Sequence, residues 1–201
     1  MTISFPLTFP VLPGPSRIEW RAKNVSIPSS SPFTLVSQIL EHEGCGWQVA
    51  VSYDPLTREE AAPLMAALTS LRGNYGTFYF GDTLLATPRG TAAGVPKIKG
   101  ANQTGFTVIT DGWTPSSAVL KAADMIQIDG SMYQILSDVI ADSGGEATLD
   151  IWPRLRTHAD NANIVTTAPK CLMRLVDSDC SPISAPQTQL FDISFQAEEA
   201  R

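Results

Sequence analysis

The sequence predicts a mainly β protein with one helix, organised as a single domain that carries an inserted second unit. Three observations lead there. Trp47, Val49, Val51 and Tyr53 alternate with Gln48, Ala50 and Ser52, the period-two pattern of a half-buried strand. Only one stretch, 57–72, has convincing helical spacing. From about residue 86 the texture changes to short apolar runs separated by Gly-rich turns, and this change persists to about 157. A length of 201 residues suits one domain with a sizeable insertion. A chain of this size buries about 70% of its unfolded surface, enough for a core that needs no disulfide or metal staple.

The elements follow in order. Residues 1–16 are Pro-rich and read as an extended arm with little reason to pack internally. Ile18, Trp20 and Ala22 lie opposite Glu19, Arg21 and Lys23, which predicts a strand. Pro28 to Pro32, with three serines between, reads as a loop, and Phe33 to Leu40 as a strand. The alternating strand at 47–53 comes next. Thr57-Arg58-Glu59-Glu60 is a capping-box sequence, followed by Ala61, Leu64, Met65, Leu68 and Leu71 at helical spacing and by Gly73 as a stop. Pro63 interrupts that pattern, so the helix is expected to bend there or to start later. Thr77 to Phe80 reads as a short aromatic strand.

Within the insertion, strands are expected at 95–99, 106–110, 125–128, 133–139 and 147–151. Asp111-Gly112, Asp129-Gly130 and Ser143-Gly144-Gly145 supply the turns, and Asp129-Gly130 is a strong two-residue hairpin signal. Five such strands suffice for a small closed or half-closed barrel. Strands then resume at 163–167, 171–176 and 190–196. The resulting division is 1–85 plus 158–201 for the outer domain and 86–157 for the inserted barrel.

Composition narrows the function. Hydrophobic residues at 43% and charged residues at 17% exclude wholesale disorder, and 14 Gly with 15 Pro fit a turn-rich β chain. The net charge of −6 lacks the footprint of a nucleic-acid binder, and Arg154, Arg156 and His158 are too few for a phosphate-tracking stripe. The N-terminus has no basic stretch before its apolar residues, which argues against a signal peptide, and no run of 18 apolar residues predicts a membrane span. Cys45, Cys171 and Cys180 are an odd set, unlike a secreted disulfide framework, and point to folding in a reducing cytoplasm.

Catalytic patterns are sparse. The two histidines, His42 and His158, are far apart, and no nucleophile elbow, zinc-protease, redox-dithiol or phosphate-loop motif occurs. His42-Glu43-Gly44-Cys45 matches no zinc spacing and reads as a turn. Asp138, Asp142 and Glu146 recur every four residues without the order of a calcium loop, and read as turn-solvating groups. The cysteines read as small buried hydrophobes. No catalytic residue, metal site or cofactor is expected.

Two stretches carry a resemblance. WQVAVSYDPLTREEAAPLMAALTSLRGNYGTFYF (47–80) resembles the strand–helix–strand block of tail-tip proteins from long-tailed bacteriophages. AADMIQIDGSMYQILSDVIADSGGEATLDIWPRLR (122–156) resembles their barrel segment, with Ala123 where a glycine is usual. Together the blocks resemble the distal tail proteins and cover about a third of the chain. The resemblance implies a ring-forming β-sandwich domain with an oligosaccharide-binding-type barrel. It implies a structural part of the virion, assembled in the host cytoplasm. Six copies would form a ring between the tail tube protein and the hub and tip proteins. DNA would pass through the lumen without specific binding, and no membrane would be involved.

Two other readings compete. In one, the inserted barrel is a carbohydrate- or receptor-binding module of the tail, with Trp113 and Tyr133 as stacking candidates. In the other, a pair among Asp124, Asp138, Asp142 and Glu146 serves a cell-wall glycan hydrolase. For the ring, Trp20, Trp47 and Phe78 are expected to be core residues, the 1–16 arm a subunit contact that can be removed without loss of the fold, and the channel-facing surface net negative, since an acidic lining repels phosphates.

Overall fold

The computed structural model describes residues 3–179, 183–184 and 190–201, with Ile183–Ser184 described by backbone alone. It is mainly β with one helix. The strands are β1 (Leu7–Thr8), β2 (Arg17–Lys23), β3 (Ser26–Ser30), β4 (Ser37–Glu41), β5 (Gly46–Leu56) and β6 (Thr77–Phe80), with α1 (Arg58–Ser70) between the last two. Then come β7 (Gly94–Ile98), β8 (Gly105–Trp113), β9 (Ala118–Leu120), β10 (Met125–Ile128), β11 (Ser131–Ile135), β12 (Val139–Ile140), β13 (Ala147–Leu155) and β14 (Ile164–Val165). The chain closes with β15 (Cys171–Leu175), β16 (Ile183–Ser184) and β17 (Phe191–Glu199).

The two ends of the chain build a seven-stranded sheet in the order β1-β6-β15-β17-β5-β2, with β16 paired to β17. The predicted alternation of β5 is realised: Trp47, Val49, Val51 and Tyr53 are buried, while Gln48, Ala50 and Ser52 are half-buried on the other face. Helix α1 packs Ala61, Leu64, Ala67 and Leu68 into the same core. Its first turn is fixed by Glu60, whose carboxylate accepts from the Thr57 amide at 2.9 Å and the Thr57 hydroxyl at 2.7 Å. The helix does not start late: it begins at Arg58 and runs through Pro63 to Ser70. Pro63 lies on the exposed face, where the missing hydrogen bond costs least because water replaces it.

The N-terminal arm differs from expectation. Leu7 and Thr8 pair in parallel with Phe78 and Tyr79, Phe9 is buried among Phe78, Phe80 and Phe195, and the Ser16 amide donates to the Ser52 carbonyl. The prolines keep the arm extended, and its phenylalanines give it a reason to pack. Residues 28–32 also differ. Pro28 lies inside β3 opposite Ile39, in a hairpin whose strands, among the described residues, pair only with each other, a two-stranded edge where proline is tolerated.

The inserted unit is a six-stranded, nearly closed barrel in the order β14-β10-β11-β13-β8-β7, with a Lys97–Asn163 bridge bringing its two end strands together. A β9–β12 ribbon lies beside it. Asp129-Gly130 forms the two-residue turn between β10 and β11, with φ of 48° and 92°, the left-handed pair that a type I′ hairpin requires. Ile98, Val108, Ile126, Ile128, Tyr133, Ile135, Leu149 and Ile151 fill its core. The residues expected at 163–167 as an outer-domain strand instead give β14, which pairs Val165 with Gln127 and Ile164 with Ile128. Only two residues pair there, too few for alternation to reveal which sheet they join.

The units interlock. Met125 and Met132, on the outward face of the β10–β11 hairpin, belong to the core of the outer sheet, whereas Ile126, Ile128 and Tyr133 point into the barrel. Strand β11 is therefore buried on both faces.

Candidate functional site

The densest polar constellation lies where the barrel meets the outer sheet. Asp129 leaves the β10–β11 turn and its Oδ2 lies 3.0 Å from His158 Nδ1. The Nε2 of His158 lies 2.9 Å from the Tyr133 hydroxyl, which accepts from the Arg156 amide at 3.0 Å. Donors and acceptors balance if Tyr133 donates to Nε2 and Nδ1–H donates to Asp129. The Arg156 side chain continues the line, donating to Glu199 Oε1 at 3.0 Å and to the Cys45 carbonyl at 2.8 Å. Glu199, whose side chain is only 4% exposed, also accepts from the Trp47 amide at 3.3 Å. Arg201 donates to the same Cys45 carbonyl. The bridge thus spans β10, β11, β13, β5 and β17.

Aromatic packing accompanies it. Trp47 donates from its indole to the Met132 carbonyl at 2.9 Å and meets Trp152 edge-to-face at 4.5 Å, with Trp20 at 5.9 Å on its other side. Trp152 in turn donates to Asn24 at 3.1 Å.

An Asp–His–Tyr line has the look of a nucleophile with its base and orienting acid. Tyr133 is 0% exposed, and burial pushes its phenol up to about 12, so it holds its proton at neutral pH. His158 is likewise buried. What the arrangement does is hold the β10–β11 turn, the chain after β13 and the last strand in one register.

Both stacking candidates sit inside the barrel. Trp113 is 3% exposed, and its indole donates to Thr110 Oγ1 at 2.8 Å, which itself donates to the Ala147 carbonyl at 2.8 Å. With their faces covered by core side chains, Trp113 and Tyr133 have no surface on which a sugar ring could stack. The reason is register: each points to the barrel interior, and residue type alone carries no such information.

Three of the four carboxylates hold backbone. Asp124, nearly buried, accepts from the amides of Arg89, Gly90 and Lys121 at 2.9, 3.2 and 2.8 Å, clamping the entry loop to the barrel. Asp138 accepts from the Ala122 amide at 2.9 Å. Asp142 accepts from the Gly144 and Glu146 amides, both at 2.8 Å, and those bonds, led by Glu146, hold its carboxyl below the usual range. Glu146 pairs with Lys99.

Cys45 and Cys171 are buried free thiols, and burial pushes the Cys171 thiol far up; Cys180 lies outside the described residues. Among the described residues, no group of three or more His, Cys, Asp or Glu is placed to hold a metal ion, and no helix is long and apolar enough to cross a membrane.

Two surface features have no counterpart in the sequence reading. The β3–β4 hairpin is exposed along both strands, and Phe33, Leu35 and Val36 crown its tip. Between Lys23 and Glu41 there is no charged residue, a signal that was available in the sequence. The second feature is an apolar cavity of about 260 Å³ walled by Phe9, Ile18, Tyr53, Tyr79 and Phe80, with Val11 at its rim. In comparisons with known proteins, no family model matches the chain and no curated protein is significantly similar to it.

Proposed function

We propose that this protein is a structural component of a phage tail tip, six copies of which form a ring joining the tail tube to the tip and receptor-binding apparatus. The observation that carries the reading is the β3–β4 hairpin. Two strands that, among the described residues, pair only with each other, are uncharged from Ser26 to Leu40 and are apolar at the tip expose surface that a monomer in water has no use for. A ring-forming chain covers such surface with its neighbour. The sequence blocks 47–80 and 122–156 supply the tail-tip assignment by resemblance. The protein acts as a part and not as an enzyme, with the acid residues of the barrel serving as loop clamps and its channel-facing surface net negative.

The test is the mass and image of the purified protein, alone and mixed with tail tube and hub proteins. Ring-shaped particles of about six copies are expected. A monomer at every concentration, including with those partners, overturns the proposal, as does a ring whose lumen is lined by Lys and Arg.

A further inference from the structure

Resting on the ring reading, we propose that neighbouring copies meet head to tail through opposite charges: an acidic end of the outer sheet in one copy, built on Asp54 and Asp192, docks on a basic end, built on Lys23 and Arg174, in the next. Register puts both ends on the non-core face of that sheet. Arg21 pairs with Gln48, Gln48 with Glu198 and Glu198 with Arg174, a row across β2, β5, β17 and β15. Lys23 and Arg201 border the same hollow as Arg174. Six residues back along β17 from Glu198, Asp192 lies at a bulge where β5 sets Asp54 and Pro55 opposite it. Asp177 and Asp179 line a second hollow on this face, together with Ser52 and Ser194. Arg17, the cation of β2 on the acidic side, is bound to Glu19.

Each end lacks what the other offers. Among the described residues no Lys or Arg pairs with Asp54, Asp192, Asp177 or Asp179, and positions 180–189 contain neither residue type. Asp192 instead donates to Asp54 when protonated, and that bond above all holds its carboxyl above the usual range. Two carboxylates that share a proton are short of a cation. At the basic end the Arg174 Nε is buried without a partner among the described residues. The nearby acids are already engaged, Glu198 by Lys23 at 3.4 Å and Glu199 by Arg156 at 3.0 Å. The two ends cannot serve each other within one copy. At about 3.4 Å per residue they lie roughly 20 Å apart. That is about two screening lengths at physiological salt, so attraction between them is largely lost. A second copy brings the opposite charge into contact. Acid at one end and base at the other give a contact that repeats from copy to copy and closes when the rotation per step divides a full turn. It also excludes the reversed orientation, in which like ends meet.

The experiment uses two full-length variants. One reverses the acidic end, Asp54→Lys with Asp192→Lys; the other reverses the basic end, Lys23→Glu with Arg174→Glu. Each alone is expected to associate at least about tenfold more weakly than wild type in sedimentation, because like ends now meet. Mixed in equal amounts, they are expected to recover rings of about six copies in which the two variants alternate, counted by native mass spectrometry. Wild-type association is expected to weaken as salt rises from about 50 to about 500 mM. If the second variant unfolds, Arg21→Glu with Lys23→Glu, both at exposed positions, takes its place. A wild type that assembles while the mixture recovers nothing overturns the charged contact and leaves the ring reading standing. So does assembly indifferent to salt or to both reversals. A mixture that stops at a one-to-one dimer shows the two faces pairing with each other, and overturns the head-to-tail contact as well. A wild type that never assembles overturns both readings.

Discussion

The protein contains the same motif twice with opposite fates. The β3–β4 and β10–β11 hairpins are both antiparallel, both rich in Ile, and both lie next to a paired strand in sequence. In β10–β11 the turn is two residues, strands β14 and β13 flank the pair on either side, and both faces are covered, one by the barrel core and one by the outer sheet. In β3–β4 the connection is six residues, 31–36, no strand among the described residues flanks either edge, and Ile27, Ile39 and Leu40 face water. Apolar content therefore does not decide burial here. What decides it is whether the rest of the chain supplies neighbours.

Substitution should separate the two hairpins. The largest effect is expected at Ile128, fully buried in the barrel: Ile128→Ala should cost about 2–5 kcal/mol of stability in urea unfolding, while Ile39→Ala in the outer hairpin should stay within about ±0.5 kcal/mol for the unassembled chain. Equal losses at the two sites would break the comparison.

A smaller effect is expected from Tyr133→Phe. It keeps the ring and removes the hydroxyl that serves the Arg156 amide and His158, leaving both without that partner at a cost of about 1–3 kcal/mol. Thermal unfolding measures this, and an unchanged midpoint would mean that the bridge contributes nothing to holding the second hairpin in place.

The smallest effect sharpens the contrast through pH. Glu60 is exposed, and its carboxyl is held below its ordinary 4.5 chiefly by the Thr57 amide, then by the Thr57 hydroxyl. A carboxyl that is more acidic in the folded chain stabilises fully above the unfolded value and loses that contribution as pH falls through the folded one. The denaturation midpoint of the wild type should therefore drop below about pH 4.5, and Glu60→Gln should start lower at neutral pH and fall less steeply. Asp142, lowered from 3.8 by the Glu146 and Gly144 amides, should behave the same way at more acid pH. From Ser26 to Leu40 the outer hairpin has no carboxylate, so a substitution that leaves Glu41 in place, such as Ile39→Ala, should leave the acid profile unaltered.

Legibility in the sequence followed the range of the interactions. Thr57 and Glu60, three residues apart, announced the helix start; Asp129-Gly130 announced its turn; Trp47 to Tyr53 announced its buried face. The arm did not announce itself, because Phe9 meets partners near residues 78, 80 and 195 and β1 pairs in parallel with a strand 70 positions away. The polar bridge was hidden for the same reason, its members standing at 129, 133, 156, 158 and 199. Trp113 and Tyr133 suit ligand stacking by residue type, but β8 and β11 aim both inward. The outer hairpin illustrates the reverse failure, since exposed and buried strands with the same alternation look alike until charge is considered.

The place of β17 sets a timetable. It follows every other described strand in the chain, yet it lies mid-sheet and joins the β6–β15 half to the β5–β2 half. At the roughly 5–20 residues per second of synthesis, the 135 positions from the end of β5 to the start of β17 take about 7–27 s, during which the long flank of β5 awaits its partner. The barrel, whose strands are contiguous in the chain, can close in that interval. A nascent chain therefore presents a closed inner module and a half-zipped outer sheet, with one flank of β5 unpaired, until β17 leaves the ribosome.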